Sequence, residues 1–148
     1  MTEESIGLPS EPWRWAWRKG FAPLLKESGL LKLLIALRSD DPRLMQGATT
    51  KPPPLMCVAD WPVEGACAVG FACWQAENNG GTVHDVEKEF AEACFFADER
   101  LGEPAACRYF LNWFDDNPRQ EVFDALAEEV ERELHRRYEE EPELVTAA

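Results

Sequence analysis

The stretch TVHDVEKEFAEACFFADERLG, residues 82–102, decides the fold class of this chain. Val83, Val86, Phe90, Cys94, Ala97 and Leu101 recur at spacings of three and four, which is one side of a helix with 3.6 residues per turn. A half-buried strand would alternate every second residue, and this stretch does not. Thr82 stands where an N-cap hydroxyl is wanted, Asp85 supplies the third-position acid of a capping box, and Gly102 stops the helix. Phe95 and Phe96 fall off the stripe, on opposite flanks of it.

Moving toward the N-terminus, Asn78-Asn79-Gly80-Gly81 is a break. Before it, Asp60-Trp61-Pro62 opens a helix predicted to reach residue 77. Apart from Glu64 and Gln75, its interior is small or apolar, from Val63 through Cys67, Gly70 and Phe71 to Trp74. Such a helix belongs at the centre of a bundle, where small residues let neighbouring backbones approach. Gly65 and Gly70 each cost about 1 kcal/mol of helix propensity, which close packing offsets. Further upstream, Pro52-Pro53-Pro54 favours an extended left-handed strap. Ser28 is expected to cap a helix over 29–39 that is mostly buried, since Leu30, Leu31, Leu34, Ile35 and Leu37 leave few polar positions. Residues 10–20 read as a helix with Pro12 in its first turn and Gly20 at its end, and a second short helix is expected over 23–27. Trp13 and Trp17 share a face there, as do Arg14 and Arg18. They suit either the lid of a bundle, with arginines stacked on tryptophan faces, or an aromatic-basic binding strip.

Toward the C-terminus, Pro104 opens a helix to Asp116 with a broad apolar arc made by Ala106, Cys107, Tyr109, Phe110, Leu111, Trp113 and Phe114. Its one polar stripe is Arg108, Asn112 and Asp115, with Asp116 beside it and Arg119 just beyond. That cluster reads either as a small binding cleft or as a structural ion-pair and capping network around Asn117-Pro118. A long last helix follows, with the stripe Val122, Phe123, Leu126, Val130, Leu134 and Tyr138 and the pairs Glu128–Arg132 and Glu133–Arg137 in the favourable order. The whole reads as one all-α domain over 1–148, an irregular bundle of five to seven helices around a small-residue central helix. A loose arm is expected at 1–9 and a frayed tail at 140–148.

Charge divides this chain in two. Residues 1–74 carry eight basic and eight acidic side chains, while residues 75–148 carry seven and twenty, so the net charge of −13 lies wholly in the second half. Such an excess opposes direct nucleic-acid binding and contact with anionic lipid. No run is long and apolar enough to predict membrane insertion, and no basic flank precedes an apolar stretch near residue 1. Five cysteines (Cys57, Cys67, Cys73, Cys94, Cys107) without a C-x-x-C pair suit reduced thiols in the cytoplasm.

Catalytic patterns are missing. There is no phosphate loop, nucleophile elbow or H-E-x-x-H motif, and His84 and His135 stand at the wrong spacing from Glu87 and Glu131 for a di-iron bundle. No catalytic residue, cofactor or metal is therefore expected. The expectation is a non-enzymatic helical protein that binds another macromolecule, a protein with a basic surface, through its acidic C-terminal half. Phe95 and Phe96 would be the anchors, and Glu89, Glu92 and Glu99 the steering charges. Two alternatives remain open: an acidic DNA mimic that blocks a nucleic-acid-binding protein, and a small enzyme using Asp115 and Asp116 with Arg108 or Arg119.

Overall fold

A computed structural model of the chain describes residues 11–51, 61–76 and 81–147, with side chains up to residue 140. Among these residues there are six α-helices and no strand. They are α1 (Pro12–Trp15), α2 (Glu27–Ser39), α3 (Ala68–Gln75), α4 (Val83–Leu101), α5 (Arg108–Asp116) and α6 (Arg119–Ala147). The fold is an all-α irregular bundle. The expectations for the arm at 1–9, the proline strap at 52–54, Cys57 and the break at 78–80 lie outside the described residues. The tail expected to fray falls where only the helical backbone of α6 is described.

The stretch that fixed the fold class behaves as its pattern requires. The Thr82 hydroxyl accepts from the Asp85 amide at 3.2 Å, and the Asp85 carboxylate accepts from the Thr82 amide at 3.3 Å, so the capping box is complete. Gly102 ends α4 at φ 73°, a left-handed conformation that only glycine adopts without steric cost. Val86, Ala93 and Ala97 are buried, and Val83, Phe90, Cys94 and Leu101 pack against the same core.

At the centre is α3, seven of whose eight residues are buried, between α2 on one side and α4 on the other. It starts at Ala68, six residues later than its composition suggests. Residues 61–67 are extended because their backbone groups are taken elsewhere. The Met45 amide donates to the Ala66 carbonyl and the Ala66 amide to the Arg43 carbonyl, both at 2.8 Å, and the Cys67 amide donates to Thr49 at 2.9 Å. With partners supplied by the 43–51 loop, the segment has no need of helix to satisfy its backbone. Glycine allows α2 and α3 to touch: a Cβ on Gly29 would lie 2.3 Å from the Ala72 carbonyl oxygen.

Several element boundaries differ from the sequence reading. The N-terminal segment passes from α1 into a π-helical turn (Ala16–Phe21) and a 3-10 turn (Ala22–Leu24), with no break at Gly20 and no separate helix over 23–27. Gly20 runs so close to α4 that a Cβ would meet Leu101 and Ala97 at 3.0 and 3.3 Å. Helix α2 begins at Glu27, and Ser28, rather than capping it, donates its hydroxyl to the Ala76 carbonyl. Its Leu31 and Ile35 are exposed, because α3 and α6 cover only one side of it. Helix α5 begins at Arg108, since Asp98 accepts from the amides of Ala105 and Cys107 and holds the preceding residues in turns. Tyr138, placed on the core stripe of α6 by its spacing, is 72% exposed because that end of the helix projects beyond its neighbours' cover.

Tryptophans 13 and 17 are core residues. Trp13 stacks on Trp113 and Trp17 packs on Phe110. Arg14 lies 4.5 Å over the Trp13 ring and pairs with Glu11 beside it and with an acid of α6.

Candidate functional site

Helix α4 separates two cavities, and between them they gather most of the residues singled out in the sequence. On its outer side, Phe95, Glu99, Glu92, Phe96 and Glu89 fall within about 120° of arc at 100° per residue. Phe95 is 59% and Phe96 48% exposed, and the two rings meet edge to face at 5.4 Å. A groove of about 790 Å³ runs beside this face, between α4, the C-terminal half of α3 and residues 24–26. Glu89, Glu92 and Phe96 line it together with Trp74, Lys26 and Lys88. Phe95 and Glu99 stand outside the groove on the same helical face.

On the other side of α4, Phe90 and Cys94 face a second cavity of about 380 Å³. Its mouth is the polar stripe of α5: Arg108, Asn112 and Asp115 all line it. Asp115 is anchored, its carboxylate accepting from the Gly47 amide at 2.8 Å. The side chains of Arg108 and Asn112 make no hydrogen bond or ion pair among the described residues. The remaining two members of the predicted cluster go elsewhere. Asp116 is exposed without joining the cavity lining. Arg119 turns away to the carboxylate of Asp40 at 2.6 Å and to the carbonyls of Leu44 and Asp41 at 2.8 and 2.9 Å, with Phe123 under its guanidinium. Gln46 completes that joint by donating to the carbonyls of Phe114 and Asn117. The cluster read as one constellation is thus two: a cavity rim and a structural clamp that binds the 40–47 loop to the α5–α6 turn.

All four described cysteines are free thiols. Burial pushes the thiols of Cys67 and Cys107 up to about 11 and that of Cys73 up to about 12, and it raises that of Cys94 as well. They are therefore neutral at pH 7 and behave as apolar lining rather than as nucleophiles. Among the described residues no group of three or more His, Cys, Asp or Glu side chains is arranged to hold a metal ion. No helix among the described residues is long and apolar enough to cross a membrane.

An acid-arginine cluster that the sequence reading overlooked sits under α1. Glu129 is 3% exposed and receives Arg18 through both carboxylate oxygens at 2.8 Å and Arg14 at 2.5 Å. Burial works to raise the Glu129 carboxyl, and the two guanidinium groups outweigh it, holding it below its ordinary value. Glu133 is likewise buried and lowered against burial, by Arg136 and Arg137. A signal was available. At 100° per residue both glutamates lie within about 20° of Val122, inside the apolar stripe of α6, where an acid needs a partner. Two of the twenty acids of the second half are therefore buried in ion pairs and closed to a partner.

Comparison of the chain with protein-family models, with curated proteins and with solved structures finds no match.

Proposed function

We propose that this chain is a non-enzymatic binding protein that takes a basic segment of a partner protein on the outer face of α4. The supporting observation is the exposed Phe95–Phe96 pair beside a groove whose lining includes Glu89 and Glu92. Two adjacent phenylalanines about half exposed and in edge-to-face contact form a contiguous apolar patch that the fold leaves in water, the kind of surface from which interaction sites are built. Aromatic anchors supply affinity, and the flanking carboxylates steer a cationic partner and reject anionic ones. Lys26 and Lys88 sit in the same lining, Lys88 one turn from Glu92, so a cationic partner is steered by the excess of Glu89, Glu92 and Glu99 over these two lysines rather than by an acid-only strip. Four reduced thiols fit a cytoplasmic setting, and the net charge of −13 argues against direct contact with nucleic acid.

The acidic face of α6 is a poorer candidate. Arg132 and Arg136 stand among its exposed acids, with Arg136 paired to Glu133 and Glu140, and a row imitating DNA phosphates would lack such cations. The test places a photo-reactive phenylalanine analogue at position 96, and in a control at position 138, then identifies the cross-linked partner in the native host. Association with that partner is next measured across a salt series. Changing Glu89, Glu92 and Glu99 to Lys should slow association and flatten its salt dependence. A rate indifferent to both changes, or equal capture at position 138, overturns the reading.

A further inference from the structure

We infer that the cavity between α3, α4 and α5 is a binding site for a small monocarboxylate with an aromatic or aliphatic body, held by Arg108 at the rim. It lies on the opposite flank of α4 from the proposed partner surface and stands or falls independently of it.

The geometry has the division of labour that small-molecule sites share: a concave apolar body with a few convergent polar groups. Phe90, Cys94 and Leu111, each half-buried, present the apolar surface of a volume of about 380 Å³, and the fully buried Val69, Phe110 and Phe114 back them. Phe110 and Phe114 are fully buried and stacked at 6.0 Å, so the layer behind the cavity is packed before any ligand arrives. Cys67, Cys94 and Cys107 complete the floor as neutral thiols. The polar groups stand in a line at i, i+4 and i+7 on α5, so Arg108 and Asp115 are about 10 Å apart along the axis with Asn112 between them.

Arg108 decides the ligand's charge. Most other arginines of the described chain are committed: Arg14 and Arg18 to Glu129, Arg43 to Asp41, Arg119 to Asp40, Arg136 and Arg137 to Glu133. Arg108 lines a cavity with its five donors unspent, which suits bidentate recognition of a carboxylate. Asn112, also unpartnered, can donate to the same group. Asp115 sets the upper limit on charge. Held in place by the Gly47 amide, it keeps a carboxylate at the far end of the rim and repels a second negative charge. Monoanions are thereby selected over dianions such as phosphate esters.

The experiment titrates the full chain with benzoate, hydrocinnamate and octanoate, and with hydrocinnamyl alcohol and phenyl phosphate as the neutral and dianionic counterparts, following backbone amide shifts by NMR. Saturable shifts at residues 47–49 and 108–115 are expected for the carboxylates, with dissociation constants of about 0.1–1 mM for ligands of this size. The alcohol and the phosphate ester should bind about tenfold more weakly than hydrocinnamate. Arg108→Gln should weaken hydrocinnamate by about tenfold without affecting the alcohol, and Arg108→Lys should retain part of the affinity. Asp115→Asn keeps an oxygen for the Gly47 amide and should narrow the gap between monoanion and dianion. A Phe95→Ala, Phe96→Ala double variant should bind hydrocinnamate as the parent does. No saturable shift from any carboxylate at about 10 mM overturns the proposal. So does equal binding of acid and alcohol, or affinity unchanged in Arg108→Gln.

Discussion

Replacing Gly29 by Ala should destabilise this protein, against the usual effect of that exchange in a helix. In an exposed helix interior the change gains about 1 kcal/mol, since alanine loses less backbone freedom than glycine. Here the added Cβ would stand 2.3 Å from the Ala72 carbonyl oxygen, 3.1 Å from its carbon and 3.3 Å from the Ala76 Cβ. The first of these is about 1 Å inside ordinary contact, and its partner is backbone in the central helix, which cannot rotate aside. The interface must therefore open by about that distance. A gap of this size forfeits roughly a quarter to a half of the dispersion energy of the contacts it separates. Leu30 and Leu33, both fully buried, lie on the helix that would be lifted. Set against the propensity gain, the net loss should be about 1–3 kcal/mol, the usual range for an overpacked core. For a chain near 150 residues that lowers the melting temperature by roughly 3–10 °C. Urea unfolding followed by circular dichroism should show a lower midpoint with an unchanged slope. Gly20→Ala is the comparison, because its Cβ meets the movable end of the Leu101 side chain at 3.0 Å and should cost less. A Gly29→Ala protein as stable as the parent would show that α2 does not rest on the α3 backbone.

Other outcomes follow from the same geometry. Gly70→Leu should be more damaging still, because even a Cβ there stands 3.1 Å from the Thr49 carbonyl and 3.3 Å from Ala66; thermal unfolding checks it. Glu129→Gln should cost about 1–3 kcal/mol at neutral pH by leaving Arg14 and Arg18 without their shared anion. Because the Glu129 carboxyl is lowered on folding, its contribution is complete above the unfolded value of about 4.3 and is lost as pH falls through the folded value. Stability curves of parent and variant should therefore converge at acid pH; a gap that stays constant down to about pH 2 would contradict this. In a Cys57→Ala background, the four described thiols should react slowly with an aromatic disulfide reagent at pH 8 and rapidly in denaturant, since burial raises each of them. The Phe95→Ala, Phe96→Ala double variant should melt within about 0.5 kcal/mol of the parent per site while losing partner association; a large stability loss would place those rings in the core.

Helix was legible wherever the information was local. The capping box of Thr82 and Asp85, the stop at Gly102, the stripe from Val83 to Leu101 and the start of α6 beyond Asn117-Pro118 depend on residues within a turn or two of each other. A side chain reports its own helical period and its own cap, so these features could be read from the chain alone, as could the place of Phe95 and Phe96 off the filled stripe; that no neighbouring helix covers them is tertiary. Only the tertiary structure decided what depends on a distant partner. Residues 61–67 have the composition of α3 and are nonetheless extended, because the 43–51 loop supplies their backbone hydrogen bonds. Leu31 and Ile35 are as apolar as Leu30 and Leu33 and remain in water, because two helices cover α2 on one side only. Arg108 and Arg119, eleven residues apart and alike in sequence, part company because one meets Asp40 and the loop carbonyls while the other meets a cavity. Propensity and capping act over a few residues; burial, and the partner each charge finds, are set by chain that is far away in sequence and near in space.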